Sequence, residues 1–417
     1  LRHRSFRHLF LAQVVALVGT GLLTVALALL AYDLAGANAG AVLGTALAIK
    51  MTVYVTLSPV AGAVVPAAWR KRVLVGLDLI RAAVALLLPF VTEIWQVYVL
   101  IALLQSSSAC FTPLFQSLIP QILTEESDYT RALSLSRLAY DLESLLSPAL
   151  AAALLVVISF HGLFAGTSVG FVLSALLVIS TTFPIAPEVR AGDGPYSRAL
   201  RGMRIYLHTP RLRGLLALNL CAASGASMVF VNTVVLVRGL LGGGEREVAW
   251  ALAAFGAGSM AVAFALPTLL DRMTDRRIML SAASVMVLVL LAITGVWWST
   301  GGLSWTSLIP AWVVLGMSYA GLVTPGGRLL RRSAQSDDLP FLFAAQFSLS
   351  HLCWLLAYPL AGWLGARLGF GIALSALSAM AALGGVVAWR TWPRQDPDVL
   401  AHHHDDAIAA GLDVVDE

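Results

Sequence analysis

The sequence predicts an all-α integral membrane protein: twelve transmembrane helices in two pseudo-symmetric six-helix bundles. Three observations predict it. The first is composition, with 59% hydrophobic residues, 12% charged and a mean hydropathy of +0.83, which excludes a water-soluble globule. The second is charge sorting. Of 27 Lys and Arg residues, 22 fall in segments on one side of the predicted membrane, and only Arg238, Arg246 and Arg367 fall in the opposite loops. Such asymmetry sets orientation, so both termini are expected in the cytoplasm of a bacterium, with the chain in its inner (plasma) membrane. The third is an echo between the halves at an offset of about 211 residues. Thr112-Pro113 matches Thr324-Pro325, Pro148-Ala-Leu-Ala matches Pro359-Leu-Ala-Gly, and the basic turn Arg70-Lys71-Arg72 answers Arg276-Arg277.

A crossing needs ~20 apolar residues for a ~30 Å hydrocarbon core. Span 1 (8–32) follows Arg2, Arg4 and Arg7, and span 2 (41–65) runs into the Arg70–Arg72 turn. Span 3 (73–92) and span 4 (94–119) precede Arg131, which opens span 5 (131–157), and span 6 (163–183) closes the first bundle. The residues are grouped as a first bundle over 1–187, a linker over 188–211, a second bundle over 212–392 and a tail over 393–417. In the linker, Tyr196, Leu200, Met203 and Leu207 form an apolar stripe opposite Arg198, Arg201 and Arg204, the pattern of a helix lying on a membrane surface. Spans 7 to 12 are expected at 212–237, 247–270, 277–298, 305–325, 339–364 and 369–390. Two parallel six-span repeats facing each other make an alternating-access transporter.

The chain resembles the major facilitator superfamily over residues 6–392. The superfamily's loop signature between its second and third spans, Gly-x-Leu-x-Asp-Arg-x-x-Arg-Arg, is read here against Gly62 through Arg70, Lys71 and Arg72, where the Asp-Arg pair is missing. In the second half the pair stands as Asp271-Arg272, followed by Arg276 and Arg277. The resemblance implies a latch at the cytoplasmic helix ends, with Asp78 and Arg81 as partial substitutes in the first half. The stretch from Thr324-Pro325 to Arg331-Arg332, with Phe343 through Gln346, His351, Cys353 and Trp354, looks like the nickel-resistance exporters of the superfamily. The remainder is similar to the group containing siderophore and macrolide exporters.

Ionisable groups at membrane depth are costly and mark functional paths. Those expected there are Lys50 in span 2, Arg137, Asp141 and Glu143 in span 5, and His351 in span 11. Asp141 lies four residues after Arg137, so the two share a helix face and can pair. Glu143 points roughly 200° away from Asp141, which leaves one carboxylate without that partner and able to carry a proton. Glu143 is the first candidate for coupling and Asp141 for substrate or structure, an assignment that can be reversed. Lys50 is either a counter-ion to one of them or snorkels toward the outer surface. His351, Cys353, Cys221 and Gln105 complete the candidate substrate or metal set. In the tail, His402, His403, His404 and Asp405 offer donors suited to transition metals, or are a solvated run in a disordered segment.

Two functions follow from the resemblance and these residues. One is proton-coupled export of a divalent transition metal, nickel or cobalt. The alternative is proton-coupled export of an organic compound, a drug or a siderophore, with Trp312, Tyr319, Trp354 and Tyr358 lining its path. No enzyme chemistry is expected, because nucleophile and base residues do not cluster. The proton gradient supplies energy and no cofactor is expected. The expected partners are the bilayer and a small solute or metal ion, with no nucleic acid, and the protein is expected to be a monomer.

Overall fold

The computed structural model describes residues 4–65, 69–123, 153–181, 195–333 and 339–394, and within the fifth span only 132, 135, 136, 139, 143, 147, 150 and 151. Everything regular among the described residues is helical. Ten apolar stretches there are long enough to cross a membrane, and the first, Arg4–Leu57, contains two helices. Span 1 is Arg4–Ala35 and span 2 is Ala39–Val64, joined by the 3-10 turn Gly36–Asn38. Span 3 is Arg70–Leu87, span 4 Ile94–Ile122 and span 6 Phe160–Ile179. After the linker helix Pro195–His208 come span 7 (Pro210–Val234), span 8 (Glu245–Arg272), span 9 (Asp275–Thr300), span 10 (Trp305–Val323), span 11 (Leu339–Pro359) and span 12 (Phe370–Thr391).

Helix is the solution hydrocarbon dictates, since it satisfies every backbone group within the segment. Side chains settle the ends. Glu93 and Gln96 form a reciprocal capping box before span 4, and Ser304 and Ser307 do the same before span 10. The packing then repeats. Within the first bundle span 1 packs on 6, 2 on 4, and 3 on both 4 and 6; in the second, 7 packs on 12, 8 on 10, and 9 on both 10 and 12. The basic turns repeat as well. The Lys71 ammonium donates to the carbonyls of Ile179 (2.8 Å) and Thr181 (2.6 Å), at the end of span 6. Arg276 donates to the carbonyls of Trp392 (3.2 Å) and Trp389 (3.4 Å), at the end of span 12. Cations are favoured at a helix C-terminus.

Among the described residues the halves meet chiefly through span 2 against span 11 and span 1 against span 7. Contact is tightest at the end where span 2 begins and span 11 finishes. A Cβ on Gly44 would lie 2.8 Å from the Tyr358 carbonyl, and one on Gly362 would lie 2.2 Å from the Gly40 carbonyl. Glycine at these positions is what permits the approach. Nearby, Trp363 donates to the Thr45 hydroxyl (2.8 Å) and Asn232 of span 7 to the Ala361 carbonyl (3.2 Å). Arg238 bridges to Asp33 at 2.6 Å and lies over the Tyr32 ring. Spans 7 and 11 both finish there in a π-helical turn, Val235–Leu240 and Leu360–Leu364.

Two linker residues outside the expected apolar stripe are docked. Gly202 and Tyr206 are buried, Gly202 against the backbone of Phe341, while Leu207 stays exposed. Tyr206 donates its hydroxyl to Gln346 of span 11. Burial pushes the Tyr206 phenol well above its ordinary range, so it remains a donor at any working pH.

One expectation is corrected here. Arg81, one of the 22 basic residues counted on the cytoplasmic side, lies within span 3 and is 4% exposed. It pairs with Asp78, which is fully buried and accepts a second bond from Ser174 of span 6 (2.8 Å). The guanidinium lies between the rings of Phe111 (4.2 Å) and Phe171 (4.5 Å). Charge sorting survives its removal, because the other basic residues of that side still outnumber those opposite.

Candidate substrate site at the seam between the halves

Glu143 sits half-buried on span 5 and accepts a bond from Ser147, one turn further on, at 3.4 Å. Span 1 makes room for it. A Cβ on Gly21 would lie 3.2 Å from Glu143 Oε1 and 1.8 Å from the Ser147 hydroxyl. Lys50 of span 2, also half-buried, is its electrostatic partner. Tyr358 of span 11 senses the same carboxylate from the other half of the molecule. Glu143 thus packs against span 1 of its own half and has an electrostatic neighbour, Tyr358, in the other.

The opposing wall is aromatic. Phe347, His351, Trp354 and Tyr358 follow at spacings of four, three and four, which puts them on one face of span 11. The His351 ring stacks on Tyr54 of span 2 with centroids 5.3 Å apart and planes within 5°, and Phe347 lies 4.0 Å from it on its own helix. Lys50 approaches the Tyr54 ring at 6.0 Å. Trp354 contacts Tyr358 (5.0 Å), Tyr319 (6.3 Å) and Phe230 (6.3 Å), and Phe230 continues to Phe255 (5.5 Å). Trp312 is not part of this wall: it is fully buried and donates to Thr233.

Among the described residues, His351, Cys353, Cys221 and Gln105 do not converge. His351 Nδ1 lies 2.6 Å from the Phe347 carbonyl. Cys353, two residues on, faces span 7, with its thiol 3.8 Å from the Leu216 carbonyl. Cys221 is buried where span 7 meets Gly384 of span 12, and Gln105 is buried on span 4 in the first bundle. Among the described residues no group of three or more His, Cys, Asp or Glu could hold a metal ion. Arg137, Asp141 and the tail residues His402, His403, His404 and Asp405 lie outside the described residues. If His351 serves as a stacking ring, His351→Phe keeps most of the transport rate and His351→Ala loses it; equal loss in both would show that the imidazole nitrogens are needed.

The loop residues separate into caps and ties. Gly62 lies in the last turn of span 2. Arg70 donates to the Val65 carbonyl (3.3 Å) and Arg72 lies over Trp69 (5.1 Å). Asp78 and Arg81 join spans 3, 4 and 6 inside the first bundle rather than latching its loop. Asp271 and Arg272 are exposed at the end of span 8. The buried acid is Asp275, which pairs with Arg332 (2.6 Å) and Arg328 (3.6 Å) beyond span 10. The sequence carried a signal for it: Thr274-Asp275 is an N-cap followed by an acid in the first helical turn.

The model of the Major Facilitator Superfamily matches residues 9–293 and 215–410. The chain belongs to this superfamily. As a facilitator it is a membrane-embedded secondary transporter and not an enzyme. It is 25% identical over 328 residues to the Uncharacterized MFS-type transporter YfiS of Bacillus subtilis (strain 168), covering 76% of this chain and 77% of that one. It is also 25% identical over 219 residues to Macrolide efflux protein A of Streptococcus pyogenes, where the match spans 51% of this chain and about half (53%) of the relative. Among solved structures, a POT family transporter in complex with a thioalcohol conjugated peptide superposes with a TM-score of 0.68 at 12% identity, covering 93% of this chain and 96% of that one. That likeness concerns the fold.

Proposed function

We propose that this facilitator is a proton-coupled exporter of an organic compound, and that its substrate is an amphiphile bearing a positive charge. What supports the reading is that the Glu143 carboxylate has as electrostatic neighbours Lys50 of span 2 and Tyr358, the last residue of the aromatic face of span 11. Aromatic rings attract a cation through their faces and bury the apolar body of the same molecule, and a carboxylate supplies the counter-charge. A proton and a cationic substrate compete for one carboxylate, which is the simplest form of antiport. With both termini in the cytoplasm of a bacterial inner membrane, the glycine contact between spans 2 and 11 lies at the outer end, so the substrate enters from the cytoplasm. The macrolide efflux relative supports export of organic compounds. A nickel or cobalt ion needs several converging donors, and the described residues do not provide them.

The test uses proteoliposomes loaded with a pH dye and offered ethidium, erythromycin or Ni²⁺. Saturable ethidium or erythromycin flux that moves protons the opposite way, and that falls to the protein-free level in Glu143→Gln, is the expected result. Nickel flux with inert organic probes would overturn the reading in favour of metal export.

A further inference from the structure

Antiport poses a problem of access at Glu143. The proton must leave toward the side from which substrate arrives, at the moment the substrate covers the seam. A second path to the carboxylate resolves this, and the first bundle contains the groups for one.

Four polar residues are buried there with oxygen atoms lacking a hydrogen-bond partner among the described residues. They are Gln13 (3% exposed) on span 1, Gln105 (4%) and Ser108 (3%) on span 4, and Ser136 (3%) on span 5. Orphaned polar groups are expensive inside a membrane. Spans 1 and 4 touch, and Gln13 reaches across to the Ser136 carbonyl of span 5 at 3.4 Å. Ser136 precedes Glu143 by seven residues and Ser147 follows it by four, so all three share one face of span 5, with ~10 Å between Ser136 and Glu143. At its upper end this face meets Gly21 of span 1, toward which Glu143 Oε1 is turned.

We infer that the interface of spans 1 and 5, lined by Gln13, Ser136 and Ser147, is a proton path to Glu143 separate from the substrate seam. The inference rests on the coupling role proposed for Glu143. The path carries a proton over hydroxyl and amide oxygens linked by water, and no covalent bond changes. Lys50 and Tyr358 face Glu143 from the seam side and do not belong to it.

The experiment compares two transport modes of the full chain with ethidium as probe. Counterflow exchanges ethidium for ethidium and needs no net proton movement; ΔpH-driven flux does. Gln13→Leu combined with Ser136→Ala is expected to leave counterflow near the wild-type rate and to slow ΔpH-driven flux at least tenfold, with Gln13→Glu restoring part of it. Unchanged ΔpH-driven flux would overturn the inference, as would equal loss in both modes. If wild-type ethidium flux moves no protons at all, the coupling role of Glu143 falls first and the path falls with it.

Discussion

Arg81→Leu is expected to cost the protein about 3–5 kcal/mol, because it strands the buried Asp78 carboxylate where spans 3, 4 and 6 meet. Asp78 is fully buried and its other partner is the single hydroxyl of Ser174. The substitution also removes the cation held between Phe111 and Phe171, so spans 3, 4 and 6 lose their common tie. The companion variant Asp78→Asn with Arg81→Met removes both charges together. Asn keeps an acceptor for Ser174, and Met packs well between aromatic rings. Replacing a whole buried pair is often neutral, so this variant is expected to unfold close to the wild type. Thermal unfolding in detergent, followed by tryptophan fluorescence, checks both. If the single and double variants unfold alike, the ion pair is not the tie.

Gly362→Val is expected to block transport by a different route, leaving each bundle folded. The added carbon would meet the Gly40 carbonyl at 2.2 Å and the Gly44 Cα at 3.1 Å. Those are backbone atoms, which no change of rotamer can move. Overpacking costs about 1–3 kcal/mol, and that cost falls only on the state in which spans 2 and 11 touch. It shifts the closed-to-open ratio at this end by roughly 5–150-fold. Spin labels at Asn38→Cys and Leu240→Cys, one on each half, should move apart, while ethidium flux falls. An unchanged label distance with normal flux would show that the halves close elsewhere. By contrast, the Arg238–Asp33 bridge at the same end is partly exposed and is worth no more than about 1 kcal/mol.

The helical framework was legible because hydrocarbon leaves few choices: long apolar runs must be helices, and basic turns mark their ends. What stayed hidden was pairing between distant helices. The charge count assigned Arg81 to the cytoplasmic side, although it falls inside span 3 and its three-residue spacing from Asp78 fits an internal helical pair. Asp271 fits the superfamily's loop signature, yet Asp275, four residues later, is the acid that folds inward. His351 and Cys353 were separable by helical period alone, and they do diverge, toward Tyr54 and Leu216. The aromatic face of span 11 was present in the sequence as a spacing. Its meaning emerged only once Tyr54 was seen stacked on it, since no local rule sets span 2 opposite span 11.

The two basic caps also bear on how the chain is made. Lys71 holds a carbonyl 108 residues downstream, and Arg276 one 116 residues downstream. At ~5–20 residues per second, each cation waits roughly 5–20 s after synthesis for the helix end it will cap. During that interval its bare charge is free to sit among lipid headgroups and fix which way the first spans are inserted. Only when the last helix of the bundle arrives does the same charge change employment, from orienting a growing chain to closing a finished half.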